Sequence, residues 1–237
     1  MRDARAVTVV SLALASASGL CLATLEVRTH RTGDSYYRFL AWNLFLAWVP
    51  LLFAAAAFAR ARRRFDGLTV VLLVLWLLFF PNAPYMLTDF IHLSDRPTAP
   101  LWYDALMLSS FAWTALLVGF ASAYLVQAVV RSVVGQAWSW CVVAGAFALA
   151  SFGVYLGRFV GFNSWDALVR PGRVAHVITH QVENPLHHPR LIATLAVLTA
   201  FLLVGYAVLY AFAQLHLELE RAARADRARS GGSFDAS

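Results

Sequence analysis

The chain has 237 residues, of which 60% are hydrophobic and 14% are charged, and its mean hydropathy is +0.64. Soluble domains of this length are far less apolar, so the composition excludes an ordinary soluble protein and predicts an integral membrane protein. All 19 basic residues are arginines, the formal net charge is +6, and no nucleic-acid-binding motif accompanies them. We therefore interpret the arginines as topology signals and contacts to lipid headgroups, with the lipid bilayer and no nucleic acid as partner.

Hydrophobic runs divide the chain into six segments, each long enough for a transmembrane helix. The sequence predicts an all-α protein with a single six-span domain, residues 1–213, and a charged cytoplasmic tail, residues 214–237, whose end is disordered. Ala15, Ser16 and Ala17 resemble a signal-peptidase site, but the apolar run continues past them and favours an uncleaved first span. The predicted spans are about residues 6–25, 39–59, 68–87, 104–130, 138–156 and 191–213.

The third span is predicted to be broken at Pro81 and Pro84. The 13 uncharged residues from Leu68 to Phe80 rise about 20 Å as a helix, which is short of the roughly 30 Å hydrocarbon core, so the prolines are expected within the membrane. Each proline removes a backbone donor, and the freed carbonyl groups need partners inside the protein. An ordinary proline-terminated span with a polar interfacial tail is the alternative. Beyond the break, a short helix capped by Asn82 would carry one polar stripe of Tyr85, Thr88, Asp89 and His92.

Six spans place both termini on the same side of the membrane, and the distribution of arginines indicates which side. With the termini in the cytoplasm, the inner segments contain eleven arginines and the outer loops contain eight. The strongest single signal is the short loop from Arg60 to Asp66, which contains four arginines. We predict that both termini are cytoplasmic. Cleavage of the first segment would leave the orientation of the other five spans unchanged.

Several polar residues fall at the same membrane face, because only the number of intervening spans decides which end they share. Short interfacial helices are expected there, on the outer face. Structural roles are the alternative, since Asp104 favours a helix N-terminus, Asn163 and Asp166 can cap a short helix, and Arg158 can anchor to headgroups. The predicted ligand-binding candidates are Asn43, Asn82, Tyr85, Asp89, His92, Asp104, Arg158, Asn163 and Asp166.

Asp89 and Arg158 are predicted to form an ion pair. Each is an ionisable group near the end of an otherwise uncharged span, where an unpaired charge is costly. Asp104 and Asp166 compete as partners for Arg158. We favour Asp89 because its short helix begins at the break, below the headgroup level, where electrostatic attraction is less screened.

The loop before the sixth span contains a cluster of histidines that offers a weak metal-binding candidate. His176, His180 and Glu183 would share one face of a helix, and two imidazoles at this spacing can bind zinc. The HExxH arrangement of a metalloprotease is absent, and solvated loop histidines are the alternative. Cys21 and Cys141 lie in different apolar segments without a CxxC spacing. We predict no cofactor.

A set of short motifs identifies a resemblance that covers most of the chain. The motifs are Trp42-Asn43, Pro81-Asn82-Ala83-Pro84-Tyr85 with Thr88-Asp89, Trp102-Tyr103-Asp104, Gly157-Arg158, Asn163-Ser164-Trp165-Asp166 and His188-Pro189. Together they resemble the bacterial membrane-protein family called domain of unknown function 1361, over roughly residues 42–213. The resemblance implies a multi-pass protein of the bacterial inner (plasma) membrane. It implies no assigned activity and no established catalytic residue.

Three hypotheses for the function follow. The first is a membrane protein that binds a polar or lipid-headgroup ligand at its extracytoplasmic face. The second is a membrane enzyme acting on lipid-linked or phosphorylated substrates, with Asp89 or His92 as general base and Arg158 neutralising negative charge. The third is a small facilitator or transporter subunit, although the uncharged span centres and the lack of a repeated break disfavour an ion-driven carrier. The sequence does not indicate the oligomeric state.

Overall fold

The computed structural model of this chain describes residues 2–95, 97–162, 169, 172 and 189–231. Among these residues every regular element is a helix and there is no β-strand. Six helical segments are long and apolar enough to cross a membrane: Val7–Thr32, Tyr36–Ala61, Gly67–His92, Leu101–Val134, Gln136–Val160 and Pro189–Glu220. The predicted fold class, an all-α protein with six membrane-spanning segments, is therefore confirmed.

The described helices are joined by short connections as far as residue 160. They are α1 (Arg2–Thr32), a 3-10 turn (Tyr36–Arg38), α2 (Phe39–Ala61), α3 (Gly67–Phe79), α4 (Asn82–Tyr85), a 3-10 helix (Met86–His92), α5 (Leu101–Val134), α6 (Gln136–Tyr155), a π-helix (Leu156–Val160) and α7 (Pro189–Gly231). The chain divides into two compact units, Met1–Thr199 and Ala200–Ser237, and α7 runs from the first into the second. The predicted boundary between membrane domain and tail stays a prediction.

Helix α1 extends further than the hydropathy pattern indicates. The predicted first span ended at residue 25, whereas α1 continues to Thr32 and includes Arg28. Polar side chains lower the hydropathy of the last turns, but the backbone keeps its hydrogen bonds, and the hydroxyls of Thr29 and Thr32 also bond carbonyls four residues earlier. Arg28, counted as a loop residue from the sequence, therefore lies on a helix.

Helix α5 forms the centre of the first unit. It is the most buried of the six spans and contacts α1, α2, α4 and α6. Its side chains Met107, Leu108 and Phe111 are almost fully buried, in one apolar cluster with residues of α1, α2 and α4. Packing of apolar side chains around α5 therefore fixes how the ends of the neighbouring helices sit relative to one another.

The third span changes helix type at its prolines. Helix α3 ends at Phe79, α4 is a single turn, and the chain continues as the 3-10 helix. The carbonyl of Phe79 accepts a hydrogen bond of 2.8 Å from the side-chain amide of Asn82, and the carbonyls of Phe80 and Pro81 accept from the backbone amides of residues 83 and 85. The prediction that Asn82 caps the short helix is wrong, because Asn82 is the first residue of α4 and Pro81 occupies the capping position.

Two glycines allow neighbouring helices to approach the proline segment closely. A methyl group added at Gly119 of α5 would lie 2.8 Å from the Cβ of Ala83. One added at Gly153 of α6 would lie 2.7 Å from Cγ of Pro81. Both distances are shorter than carbon atoms tolerate, so the segment is wedged between α5 and α6.

The loop between α2 and α3 is closed by Asp66. Its carboxylate caps α3 by accepting a hydrogen bond of 3.2 Å from the backbone amide of Thr69, and it also binds the Arg60 guanidinium. The hydrogen bond from Arg60 holds the pKa of Asp66 well below its usual range. An aspartate at this position satisfies a helix donor that would otherwise lack a partner.

Candidate functional site

Arg158 lies at the end of the fifth span, in the π-helix that follows α6. Such wide turns are frequent at functional sites because they change the direction of a side chain relative to the regular helix. The preceding residue is Gly157, where an added methyl group would lie 3.1 Å from the ring of Tyr85. A glycine here lets that ring approach closely, and the guanidinium of Arg158 lies over it with its carbon 4.4 Å from the ring centroid.

The guanidinium of Arg158 contacts every residue of the predicted polar stripe. Its Nη2 forms an ion pair with Oδ1 of Asp89, and its Nε donates to Oγ1 of Thr88 over 2.8 Å. Its Nη1 lies 3.1 Å from Nε2 of His92. Together with the Tyr85 ring, all four stripe residues therefore contact one arginine. The predicted pairing of Asp89 with Arg158 is confirmed.

Asn43, on α2, supplies a further partner for Asp89. Its side-chain amide donates to Oδ2 of Asp89 over 3.1 Å, on the carboxylate oxygen that Arg158 does not use. The side chain of Asp89 is only 1% exposed and that of Arg158 is 11% exposed. A buried carboxylate thus has a cation on one oxygen and an amide on the other, which offsets the cost of removing it from water.

The hydrogen bonds around His92 define its tautomer. Arg158 has only donors, so Nε2 of His92 accepts, and Nδ1 carries the proton of the neutral ring and donates to Asp95 over 2.9 Å. The hydroxyl of Tyr36 donates to the same Asp95 oxygen over 2.9 Å. We call Arg158, Asp89, His92, Asp95, Thr88, Tyr85, Tyr36 and Asn43 the Arg158 cluster.

Arg28 and Asp104 form a second buried ion pair at the same end of the helices. Nε of Arg28 lies 2.6 Å from Oδ1 of Asp104, and Nη2 lies 3.1 Å from Oδ2, in a bidentate arrangement. Nη2 also donates to Thr98 over 3.2 Å, and the guanidinium carbon lies 4.4 Å from the ring centroid of Tyr37. The side chains of Arg28 and Asp104 are 0% and 3% exposed.

Tyr37 connects the two ion pairs. Its ring lies under Arg28, and its hydroxyl donates to the backbone carbonyl of His92 over 2.6 Å. The neighbouring Tyr36 contacts the side chain of the same histidine. The short 3-10 turn between α1 and α2 therefore links both pairs, through a cation–π contact on one side and hydrogen bonds on the other.

The structure brings together some predicted candidates and separates others. Asn43, Tyr85, Asp89, His92 and Arg158 belong to one cluster. Asp104, expected at the same site and as a competitor for Arg158, pairs with Arg28 instead, because the ends of α1 and α5 pack against each other. Asn82 bonds the backbone of α3. The candidates Asn163, Asp166, His176, His180 and Glu183 lie outside the described residues.

Several residues of these clusters were not predicted from the sequence. Arg28 was assigned to a loop, and Tyr36, Tyr37 and Asp95 were not singled out. The available signal was the position of Arg28 three residues after the first apolar run, followed by a pair of tyrosines that can stack on a cation. The assignment of metal candidates remains a prediction, and among the described residues no group of three histidine, cysteine or acidic residues is placed to hold a metal ion.

The Arg158 cluster has accessible acceptors and engaged donors. Each guanidinium nitrogen of Arg158 already contacts an acceptor, whereas a carboxylate such as that of Asp95 is an acceptor only and has no donor to offer. The side chains of Asp95 and His92 are 43% and 28% exposed and form the open edge of the cluster. The arrangement therefore suits a ligand that donates hydrogen bonds.

Comparison with known proteins gives one match. Residues 42–212 match the model of a family described as "Protein of unknown function (DUF1361)". No curated protein and no solved structure matches the chain.

Proposed function

The chain belongs to the DUF1361 family of proteins of unknown function, and we propose that this multi-pass membrane protein binds an uncharged or cationic polar group, such as a lipid headgroup, at the Arg158 cluster. We place this site at the extracytoplasmic face of a bacterial inner membrane, with both termini in the cytoplasm. The arginine count supports the orientation, and the family resemblance supports the compartment.

The observation that carries the proposal is that three spans converge on one buried ion pair. The cluster around this pair is open to solvent at Asp95 and His92. Ionisable groups are expensive near a bilayer and mark functional sites by default. The pair of Asp89 and Arg158 is bound from α2 by Asn43 and leads through His92 to the exposed carboxylate of Asp95. A purely structural ion pair would not need this connection to the open edge.

The chemistry of the open edge favours a ligand with N–H or O–H groups. The exposed carboxylate of this edge is that of Asp95, and a bound anion would lie against it. An amine or a sugar hydroxyl would instead donate a charge-assisted hydrogen bond to this carboxylate. We therefore expect headgroups with such donors to bind in preference to headgroups without them.

A membrane enzyme on lipid-linked substrates is less well supported. A general base needs a free lone pair within reach of the substrate proton. Nε2 of His92 accepts from Arg158, its Nδ1 donates to Asp95, and Asp89 is paired and almost fully buried. Catalysis at this cluster would first require these contacts to break.

The test measures which lipids stay bound to the full-length protein after its release from nanodiscs. The bound lipids are identified by native mass spectrometry. Phosphatidylethanolamine and a glycosylated diacylglycerol offer hydrogen-bond donors, whereas phosphatidylcholine with the same acyl chains offers none. We expect the wild type to retain the first two, and Asp95→Asn to retain them roughly tenfold less, the effect of one charge-assisted hydrogen bond.

Asp34→Asn is the matched control, since Asp34 is a partly exposed carboxylate that contacts Arg28, and asparagine keeps the Oδ1 that accepts from the backbone amide of Tyr36. It should bind like the wild type. Equal retention of phosphatidylcholine, or equal losses in both variants, would contradict the proposal. A change in mass of an added lipid would favour the enzyme.

A further inference from the structure

His92 lies between a cation and an anion in the Arg158 cluster. Its Nε2 is 3.1 Å from Nη1 of Arg158 on the π-helix, and its Nδ1 is 2.9 Å from Oδ2 of Asp95, three residues later. The side chain of His92 is 28% exposed, whereas those of Arg158 and Asp89 are 11% and 1% exposed. His92 is therefore the titratable link between the buried ion pair and the open edge.

Groups from several parts of the chain surround the imidazole of His92. The hydroxyl of Tyr36, on the 3-10 turn before α2, lies 3.2 Å from Nδ1, and the ring centroid of Phe39, on α2, lies 5.2 Å from that of the imidazole. Two carboxylates and one guanidinium act on the imidazole electrostatically, those of Asp95, Asp89 and Arg158. The positive charge thus faces Nε2, and a negative charge faces Nδ1.

The neutral imidazole fits this position and the protonated imidazole does not. A guanidinium has donors only, so the lone pair of Nε2 is the group that lets Arg158 approach to 3.1 Å. A proton taken from water by Nε2 occupies that lone pair and sets two N–H groups and two positive charges against each other. The contact between His92 and Arg158 then breaks, while the contact between Nδ1 and Asp95 becomes an ion pair.

Arg158 has other partners, so the protonated ring is the group that moves away. The guanidinium keeps its ion pair with Asp89 and its hydrogen bond of 2.8 Å to Oγ1 of Thr88. The imidazolium keeps Asp95, which is 43% exposed at the open edge. Protonation therefore supplies the carboxylate of Asp95 with a cation, and a ligand that donates to this carboxylate has to compete with that cation.

We propose that His92 regulates ligand binding at the Arg158 cluster by taking up one proton at Nε2, which releases the bound headgroup. The neutral ring leaves the negative charge of Asp95 to a ligand that donates hydrogen bonds, whereas the imidazolium neutralises this charge. This regulation rests on the proposed function, because it concerns the same site, and it adds the condition under which that site is open. Acidification on this side of the membrane should empty the site.

Lipid retention by the full-length protein at about pH 7.5 and at about pH 5.5 tests this regulation. Histidines ordinarily titrate at about pH 6.5 and aspartates at about pH 3.9, so this interval changes the charge of histidines and leaves exposed carboxylates ionised. Native mass spectrometry should show that the wild type retains phosphatidylethanolamine roughly tenfold less at the lower pH. This is the effect of one charge-assisted hydrogen bond.

Two variants identify the histidine responsible. Glutamine offers an acceptor and donors at both pH values, so the ratio of retention between them should be about one in His92→Gln, whatever its retention at the higher pH. His30→Gln is the matched control, since His30 also pairs with a carboxylate, that of Glu26, and lies outside the Arg158 cluster. It should keep the ratio of the wild type.

A second arm uses no ligand and separates this regulation from the proposed function. In protein with isotope-labelled histidine and arginine, the nuclear magnetic resonance signals of His92 and Arg158 are assigned by their loss in His92→Gln and in Arg158→Lys, which keeps the positive charge. We expect His92 to take up one proton between the two pH values and the Arg158 signals to shift at the same midpoint. These shifts without lipid retention would support the proton-dependent contact and contradict the proposed function.

Three results would overturn the regulation by His92. The first is a His92 that stays neutral at the lower pH, or Arg158 signals that do not follow its protonation. The second is an equal ratio of lipid retention in the wild type and in His92→Gln. The third is loss of the pH response in His30→Gln.

Discussion

Removing either member of the Asp89 and Arg158 pair should destabilise the protein strongly. The side chains are 1% and 11% exposed, so each substitution leaves an almost dehydrated charge behind. Breaking a buried pair by removing one partner costs about 3–5 kcal/mol. We expect the lower end, about 3 kcal/mol, because Arg158 keeps Thr88 and His92 as acceptors and Asp89 keeps Asn43 as donor.

The double variant separates the pair from the rest of its surroundings. If Asp89→Asn and Arg158→Gln each cost about 3 kcal/mol, independent effects would sum to about 6 kcal/mol. In the double variant neither charge remains, so we expect about 4 kcal/mol and a coupling energy of about 2 kcal/mol. The free energy of unfolding is measured by reversible denaturation in mixed detergent micelles for all four proteins.

Additivity within about 0.5 kcal/mol would refute the reasoning. It would mean that the two charges do not interact energetically, and that Arg158 is held by its other contacts. Asn43→Ala is an internal check, because it removes a neutral donor from the same carboxylate. It should cost less than either charge deletion, about 1–2 kcal/mol.

Three further predictions concern packing, the α3 cap and topology. Gly153→Ala should destabilise by about 1–3 kcal/mol because its methyl group meets a proline ring, whereas Gly145→Ala in the same helix meets nothing within 4 Å and should be neutral or slightly stabilising in the same unfolding assay. Asp66→Ala should lower the free energy of unfolding more than Asp66→Asn, because asparagine can still cap the helix. Folding lowers the pKa of Asp66, so the stabilisation by its charge is present above the ordinary aspartate pKa of about 3.9 and fades as the pH falls below it. Unfolding measured at several pH values would show this loss. A reporter active only in the cytoplasm should work after Ser237 and fail when inserted near Thr98; the reverse would contradict the orientation.

The residues of the Arg158 cluster were largely predictable because span number decides which end of a helix a residue occupies. Asp89 ends the third span and Arg158 ends the fifth, so they must share a face whatever the packing is. The spacing of the stripe then placed His92 on the same side as Asp89. These inferences need only the spacing of polar residues along one helix and the order of the spans in the chain.

The choice of partner was not predictable in the same way. Asp104 competes with Asp89 for Arg158 in the sequence, yet it binds Arg28, which is 76 residues earlier in the chain. That pairing depends on the length of α1 and on the direction in which its last turns face α5. Neither quantity leaves a signal in hydropathy, because a polar last turn is as compatible with a loop as with a helix end.

The sequence alone determined the class of protein, the number of spans and the end at which the polar residues gather, because a bilayer requires a continuous apolar run for every crossing. The tertiary structure decided that there are two buried ion pairs, that Tyr37 joins them, and that His92 lies between Arg158 and Asp95. These features arise from side chains of different helices meeting at distances of a few ångströms. They depend on helix rotation and packing around α5, which one-dimensional patterns do not specify.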